Sequence, residues 1–452
     1  MLQASNSDFV WGVATASYQI EGAYNVDGRG RGTWDVFSER PGAIFQGHTA
    51  RQACDHYHRL DEDLDLLAGL GVDAYRFGVS WPRVLPGGTG QANDSGLAFY
   101  DRLIDGLLAR GITPYLTLFH WDYPHSLEQQ GGFRSTKSPG WFEEYTELLA
   151  RRYGDRVRHW FTLNEPHAFI EGGLRHGRHA PGHRLPLSEV LRAGHHALLA
   201  HGRATQVLRS LVPQSWVAMA PVLICATPKT ESESDIEAAR AWTFGMYDSN
   251  LRVSSWWMDP ALGRGYPSDG LSLLGTELGP IPAQELELIA QPLDAVGFNL
   301  YDSAVVRAGP QGEPIVCPPE PGSPRTAFDW PMTPQGHYWG PLFAHQRYKL
   351  PTMVTENGLS NRDWVDRNGA VNDPARVDFI DRHVSALLSA REQAQVQGYF
   401  HWSLLDNFEW NHGYRERFGL VHVDYQTMKR TPKQSYHYYR KRIDRERQAP
   451  GA

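Results

Sequence analysis

The chain predicts an α/β fold: one closed barrel of eight parallel strands ringed by helices. Three observations carry that expectation. Eight short apolar runs alternate with longer amphipathic stretches, which implies strands joined by crossover helices and hence a parallel sheet. No linker, internal repeat or low-complexity stretch divides the 452 residues, although that length could hold two or three domains of ~150 residues. Side chains suited to chemistry also gather at the C-terminal ends of the apolar runs, where barrels of this kind build their sites. A single-domain (β/α)8 TIM barrel, with elaborated βα loops forming a deep active-site pocket, is the economical solution.

The strand candidates, in order, are 9–14, 74–81, 113–120, 157–164, 215–223, 295–301, 352–356 and 397–403. Gln19 follows the first, and Arg76 lies in the second. The third ends on His120, the fourth leads into Glu165, and the sixth carries Asn299 and Tyr301. Glu356 closes the seventh and Trp402 lies at the end of the eighth. Helical periodicity covers 61–70, 98–110, 141–153, 186–210, 235–251 and 374–393. The last of these opens on Asp373-Pro374, an acidic cap followed by proline at the first turn. Pro318-Pro319-Glu320-Pro321-Gly322, with Pro324, reads as an insertion in the sixth βα loop and as a cleft wall. One domain is expected over 1–446, with 447–452 as a short disordered tail.

Composition excludes several classes. The net charge is −7, from 44 basic and 51 acidic side chains, and basic residues cluster only in the last dozen positions. There Arg440-Lys441-Arg442 and Arg445-Glu446-Arg447 read as a frayed, solvated tail, not as a nucleic-acid surface. Cys54, Cys225 and Cys317 are odd in number and widely spaced, which argues against a disulfide framework or zinc site and for a reducing compartment. Residues 1–8 lack a signal core, and no apolar run reaches the ~18 residues of a membrane span. A cytoplasmic protein with no membrane partner is expected. The 15 Trp, 20 Tyr and 18 Phe are many. Most should fill cores, but Trp402 and Trp410 sit among polar residues, a setting suited to stacking on sugar rings.

Two glutamates stand out. Asn164-Glu165-Pro166 and Thr355-Glu356-Asn357-Gly358 each follow an apolar run and are each broken at once by turn residues. Two carboxylates facing each other from strand ends are what glycosidic cleavage requires.

The chain resembles glycoside hydrolase family 1, the β-glucosidase and β-galactosidase family, over 7–443. The motifs, in the family's order, begin with Phe9-Val10-Trp11-Gly12, Gln19-Ile20-Glu21-Gly22, Cys54-Asp55-His56-Tyr57 and Ser80-Trp81-Pro82-Arg83. Phe119-His120-Trp121, Asn164-Glu165-Pro166, His179-Ala180-Pro181-Gly182 and Thr355-Glu356-Asn357-Gly358 follow. The segment 402–410 and Arg417-Phe418-Gly419-Leu420 complete them. The resemblance implies a retaining β-glucosidase acting on terminal β-D-glucosyl residues of small glycosides or oligosaccharides, with β-galactosides and β-fucosides as further substrates. It implies Glu165 as acid/base and Glu356 as nucleophile, supported by Arg76 and Tyr301, with Asn164 on the sugar 2-hydroxyl. Repulsion from ionised Glu356 is expected to keep Glu165 protonated. Gln19, His120, Trp121, Asn299, Trp402, Glu409, Trp410 and Phe418 are implied to bind the sugar, and Trp330 to stack on the leaving group. Where many members carry Trp two residues after the acid/base, this chain has His167, and Asn299-Leu300-Tyr301 replaces Asn-Tyr-Tyr. No cofactor or metal is implied, and a homo-oligomer is left open.

Two other readings compete. A 6-phospho-β-glycosidase would need a phosphate pocket near position 409, where a carboxylate should repel phosphate. A non-catalytic glycan-binding relative, or a thioglucosidase, would lack the acid at 165. His56, His58, His176, His179 and His183 suggest a metal site but lie outside any HExxH pattern.

Overall fold

The computed structural model describes residues 9–448. Its eight-stranded sheet is parallel: β1 (Val10–Ala14), β2 (Ala74–Gly78), β3 (Thr113–Phe119), β4 (His159–Asn164), β5 (Trp216–Ala220), β6 (Val296–Asn299), β7 (Thr352–Asn357) and β8 (Val396–Trp402). Neighbours run β5-β4-β3-β2-β1-β8-β7-β6. A parallel bridge between Val222 and Asn299 brings the two edges together, with Leu223 N donating to Asn299 O at 2.8 Å and Asn299 N to Pro221 O at 2.9 Å. All eight expected strands are present. They were legible because a strand buried on both faces reads as an unbroken apolar run.

Register decides where the chemistry meets. Ala14 pairs with Arg76 on one side and Trp402 on the other, and Glu356 pairs with Asn299. Phe119 pairs with Leu163, so His120 and Asn164 emerge at neighbouring levels. Tyr115, Phe161 and Phe400 fill the barrel, interleaved with Ala14, Ala74, Ala218 and Ala220. Gly12 makes this possible, because a Cβ there would lie 2.3 Å from the Phe400 ring. The aromatic plug closes the barrel beneath the strand ends.

The helices pack outside by apolar stripes. Asp94–Ala109 buries Leu97, Phe99, Tyr100, Leu103, Ile104 and Leu107, at the three- and four-residue spacing of one helix face. Each such side chain stabilises the fold by about 1.5–3 kcal/mol. The helix expected at 235–251 stops at Phe244, and 245–253 is a loop, since Gly245 leaves helical geometry. The helix Pro374–Ser389 starts as expected, but the Asp373 side chain pairs with Arg376 and Ser435 instead of capping. The last helix runs Gln434–Gln448, so 447–448 are helical and 449–452 lie outside the described residues. Its basic residues are not a frayed tail: Arg442 is buried, with ion pairs to Asp381 at 2.6 Å and Glu446 at 2.8 Å.

A buried charge network fixes the loop after β8. Asp406 takes Lys433 Nζ at 2.7 Å, Arg417 Nη1 at 2.6 Å and Gly419 N at 3.0 Å. Lys433 and Arg376 share Asp363 at 2.5 and 2.7 Å. Burial alone would raise the Asp406 carboxyl, but Lys433, Arg417 and Arg376 hold it at about 2, below its ordinary 3.8. A depressed carboxyl stabilises the fold above its unfolded value, and that stability is lost as pH falls through the folded value. Asp406→Ala should therefore cost about 3–5 kcal/mol in urea unfolding at neutral pH, because it strands buried cations. The gap to the wild type should narrow as pH drops from about 4 toward 2.

Candidate active site

Glu165 follows β4 directly, and its N–H donates to Ala220 O on β5 at 2.9 Å. Its φ is +45°, and Trp121 and Trp410 also sit at positive φ, +75° and +49°. Such backbone costs energy in a non-glycine residue and persists where surrounding contacts over-determine it. Glu356 ends β7 at 3% exposure. Gly358, two residues on, lies against β8, where a Cβ would come within 1.8 Å of Trp402 O.

Arg76 is the hub. Its Nη1 donates to Glu356 Oε1 at 2.7 Å and to Thr355 O at 3.1 Å. Its Nη2 donates to Asn164 Oδ1 at 2.6 Å and its Nε to Thr117 Oγ1 at 3.1 Å. The Tyr301 hydroxyl donates to Glu356 Oε2 at 2.9 Å, so each nucleophile-side oxygen has a donor. Asn299 Nδ2 donates to Glu165 Oε1 at 2.8 Å and to Asn164 Oδ1 at 3.1 Å. The two glutamates thus join one network but have unequal partners: a cation and a phenol for Glu356, one neutral amide for Glu165.

That inequality sorts the proton. Burial raises the Glu165 carboxyl to about 7, and the charge of Glu356 adds to the rise. Burial therefore outranks the repulsion expected from sequence. Burial raises Glu356 as well, but Arg76 and Tyr301 oppose it. The shared proton accordingly rests on Glu165.

A cavity of about 360 Å3 opens over the pair, lined by His120, Trp121, Asn164, Tyr301, Trp402, Glu409, Trp410 and Phe418 among others. Asn164 Oδ1 is occupied by Arg76 and Asn299, which fixes its amide and makes Nδ2 the donor to His120 Nε2 at 3.1 Å. His120 is held neutral by burial and by Arg76, so its hydrogen is on Nδ1, which is buried and has no partner among the described residues. Trp402 stacks on His120 at 5.6 Å. Trp410 packs on Trp121 at 4.4 Å and Trp34 at 4.6 Å, so it belongs both to the cavity wall and to an aromatic core.

Three expected residues stand behind the wall. Arg76 and Asn299 support the glutamates, and Gln19 is fully buried. Its Nε2 donates to Asn407 Oδ1, Phe408 O and Glu409 Oε2 at 3.1, 2.9 and 3.3 Å, while Oε1 has no partner among the described residues. Burial raises Glu409 to about 8, with Glu356, Glu416 and Glu165 adding to it. At neutral pH it is mainly a neutral acid, so repulsion of phosphate by a carboxylate does not hold there. No lysine lines the cavity among the described residues, but Arg178 and Arg252 do.

At the mouth, Trp330 stacks on Phe328 at 4.6 Å and meets Tyr301 at 5.2 Å. His167 Nε2 lies 3.9 Å from Glu165 Oε2, and burial, Arg252 and His179 keep the ring neutral. Arg252, Asp302, Phe328, Asn411 and His412 also line the cavity, and sequence reasoning missed them. Adjacency to Tyr301 was a signal for Asp302; Arg252 was hidden just past a helix drawn too long. The other histidines disperse: His56 bonds Asp63 at 2.8 Å, His179 bonds Ala168 O at 3.1 Å and His183 bonds Glu128 at 2.9 Å.

A family model described as Glycosyl hydrolase family 1 matches residues 3–448. The chain is 41% identical over 433 residues to "Beta-glucosidase A" of Thermotoga maritima, covering 95% of this chain and 96% of that protein. It is 39% identical over 444 residues to "Beta-glucosidase A" of Acetivibrio thermocellus, covering 96% and 97%. Among solved structures, a β-glucosidase from Thermotoga maritima in complex with glucoimidazole superposes with a TM-score of 0.89 at 39% identity, over 97% of this chain and 98% of that one.

The dominance of burial over repulsion is measurable. Followed by infrared or carbon NMR titration, Glu165 should titrate near 7 in the intact protein. In Glu356→Gln it should fall below that value yet stay above the ordinary glutamate value of about 4.3. A fall all the way to the ordinary value would make repulsion the main cause.

Proposed function

The chain belongs to glycosyl hydrolase family 1, and from that premise we propose that it is a retaining β-glucosidase removing terminal non-reducing β-D-glucosyl residues by double displacement. The observation that carries the reading is the unequal pairing of the two glutamates, one held by Arg76 and Tyr301, the other by Asn299 alone. Glu356, whose ionised form is supported by a cation, attacks the anomeric carbon. Glu165, which holds the proton, gives it to the departing glycosidic oxygen.

Formation of the glycosyl ester removes the charge on Glu356, and with it the repulsion that helps to raise Glu165. Glu165 can then ionise and take a proton from the attacking water, so two inversions give retention. Asn164 keeps one amide hydrogen beyond that given to His120, available to the sugar 2-hydroxyl. His120 and Glu409 replace water around the other hydroxyls, each of which needs a partner once desolvated. Gln19 holds Glu409 in place from behind. Trp402 offers an apolar floor. β-Galactosides and β-fucosides are included among the proposed substrates, as the resemblance to the family implies. Cytoplasmic residence is part of the proposal, supported by Cys54, Cys225 and Cys317, which stand unpaired.

With p-nitrophenyl β-glucoside, Glu356→Ala should release no nitrophenol above background. Glu165→Ala should slow cleavage of cellobiose by about 10^2–10^4-fold, and added azide, which needs no general base, should restore turnover of an activated aryl glucoside as glucosyl azide. Wild-type rates in either variant contradict the assignment. His167→Trp should change both inhibition by glucose and the ranking of aglycones in a panel of aryl glycosides, since it replaces a neutral imidazole beside Glu165 with an apolar wall.

A further inference from the structure

Arg252 sits at the cavity mouth in the loop between helices Glu233–Phe244 and Ser254–Ala261. Its guanidinium has no ion pair or hydrogen bond among the described residues; only its backbone N–H is held, by Asn250 Oδ1 at 2.9 Å. The segment that carries it is tied down. Leu251 N donates to Glu171 Oε2 at 3.1 Å, and Arg175 donates to Ser249 O at 2.5 Å and to Ser249 Oγ at 2.8 Å. Arg175 also pairs with Glu171 at 3.0 Å, and Trp257 Nε1 holds Leu251 O at 2.7 Å. Glu171 and Arg175 lie on the wide-turn helix Ala168–Arg175, which begins three residues after Glu165. The proton carrier and Arg252 are therefore anchored to the same element.

From this clamp we infer that Arg252 is a positioning residue for the reaction: its charge, carried into the cavity lining by a segment tied to the element after Glu165, favours ionised Glu165 and so speeds the second half-reaction. In that step the water oxygen bonds to the anomeric carbon and the bond to Glu356 breaks, its electron pair returning to the carboxylate. The water proton goes to Glu165. The inference rests on Glu165 being the acid/base.

Two arginines whose side chains have no partner among the described residues line the cavity, and of these Arg178 acts on His179 whereas Arg252 acts on Glu165. Glu356 on β7 opposes ionisation, Glu409 after β8 is itself raised to about 8 by burial, Asn299 on β6 donates one hydrogen bond, and His167 is neutral. Tyr301 is held un-ionised by burial and by Glu356. Arg76 on β2 is engaged by Glu356. Arg252 has no such partner, and its charge acts on Glu165, His167 and Asp302 alike. Asp302 also lines the cavity; burial raises its carboxyl and Arg252 opposes that rise.

The test compares Arg252→Gln and Arg252→Lys across pH. Removing the cation should move the basic limb of kcat/KM upward by about half a pH unit, while lysine should hold it near the wild-type position. The acidic limb of kcat for a dinitrophenyl β-glucoside, where breakdown of the intermediate limits turnover, should move up likewise. Raising ionic strength from about 0.02 to about 0.5 M should shift the wild-type limb and leave that of Arg252→Gln in place, since salt screens an exposed charge. A limb unmoved in Arg252→Gln, or equal salt responses in the two proteins, overturns the inference. Should the glutamine variant not fold, a wild-type limb insensitive to salt overturns it alone. A basic limb that persists in Glu165→Gln would instead overturn the acid/base assignment on which this rests.

Discussion

The buried ion pair between Arg76 and Glu356 is the constraint around which the site is built. Arg76 is 1% exposed and Glu356 3%. Charge centres about 4 Å apart attract by about 4 kcal/mol at an effective dielectric near 20. That is comparable to the several kcal/mol needed to desolvate each ion, so the pair is stable only if its remaining hydrogen-bonding groups are satisfied. Thr117, Thr355 O and Asn164 supply acceptors for Arg76, and Tyr301 supplies the donor for the second oxygen of Glu356. These partners come from β3, β7, β4 and the residues after β6. A one-residue slip in any of those strands would leave a buried charge unsatisfied, so barrel register and catalytic geometry are one requirement.

Asn164 shows how the pair organises its surroundings. Because Arg76 and Asn299 both donate to its Oδ1, its amide cannot flip, and its Nδ2 must face His120. That contact in turn fixes which nitrogen of the neutral His120 ring carries hydrogen. Beyond this network, Asp406 holds the loop that brings Glu409 and Trp410 to the cavity, through Lys433 and Arg417. Rigid positioning of polar groups before substrate arrives is what lets them act without reorganising during the reaction.

The sequence made the barrel legible through its strands, because burial on both faces leaves an unbroken apolar signature in each. It made the glutamates legible because strand ends are where a barrel exposes chemistry. Depth was not legible. Gln19 follows β1 as expected but is turned back onto 407–409, and nothing in its local pattern distinguishes a wall residue from one behind the wall. Protonation was not legible either: Glu409 reads as a carboxylate in sequence, and only its enclosure beside Glu356 and Glu416 makes it a neutral acid. Arg252 and Asp302 escaped because loop positions are set by tertiary ties, such as Leu251 to Glu171, that no periodicity records. The Glycosyl hydrolase family 1 match bears out the resemblance read from the motifs.

These protonation states give the cavity a common character. Glu356 is balanced by Arg76, burial raises Glu165 and Glu409 to about 7 and about 8, and His120 and His167 are neutral. The interior is rich in hydrogen-bonding groups but carries little unbalanced charge, which suits an uncharged polyol better than a charged ligand. Glycosidic cleavage then places positive charge on the sugar where the ground state has none. The negative end of the buried pair already lies beneath that position. Attraction to it grows as the bond breaks and is weak before, so the site stabilises the transition state more than the substrate. An open cavity with two ionised, solvated glutamates would attract the same cation but would lack a proton for the leaving group. Burial of the pair supplies both.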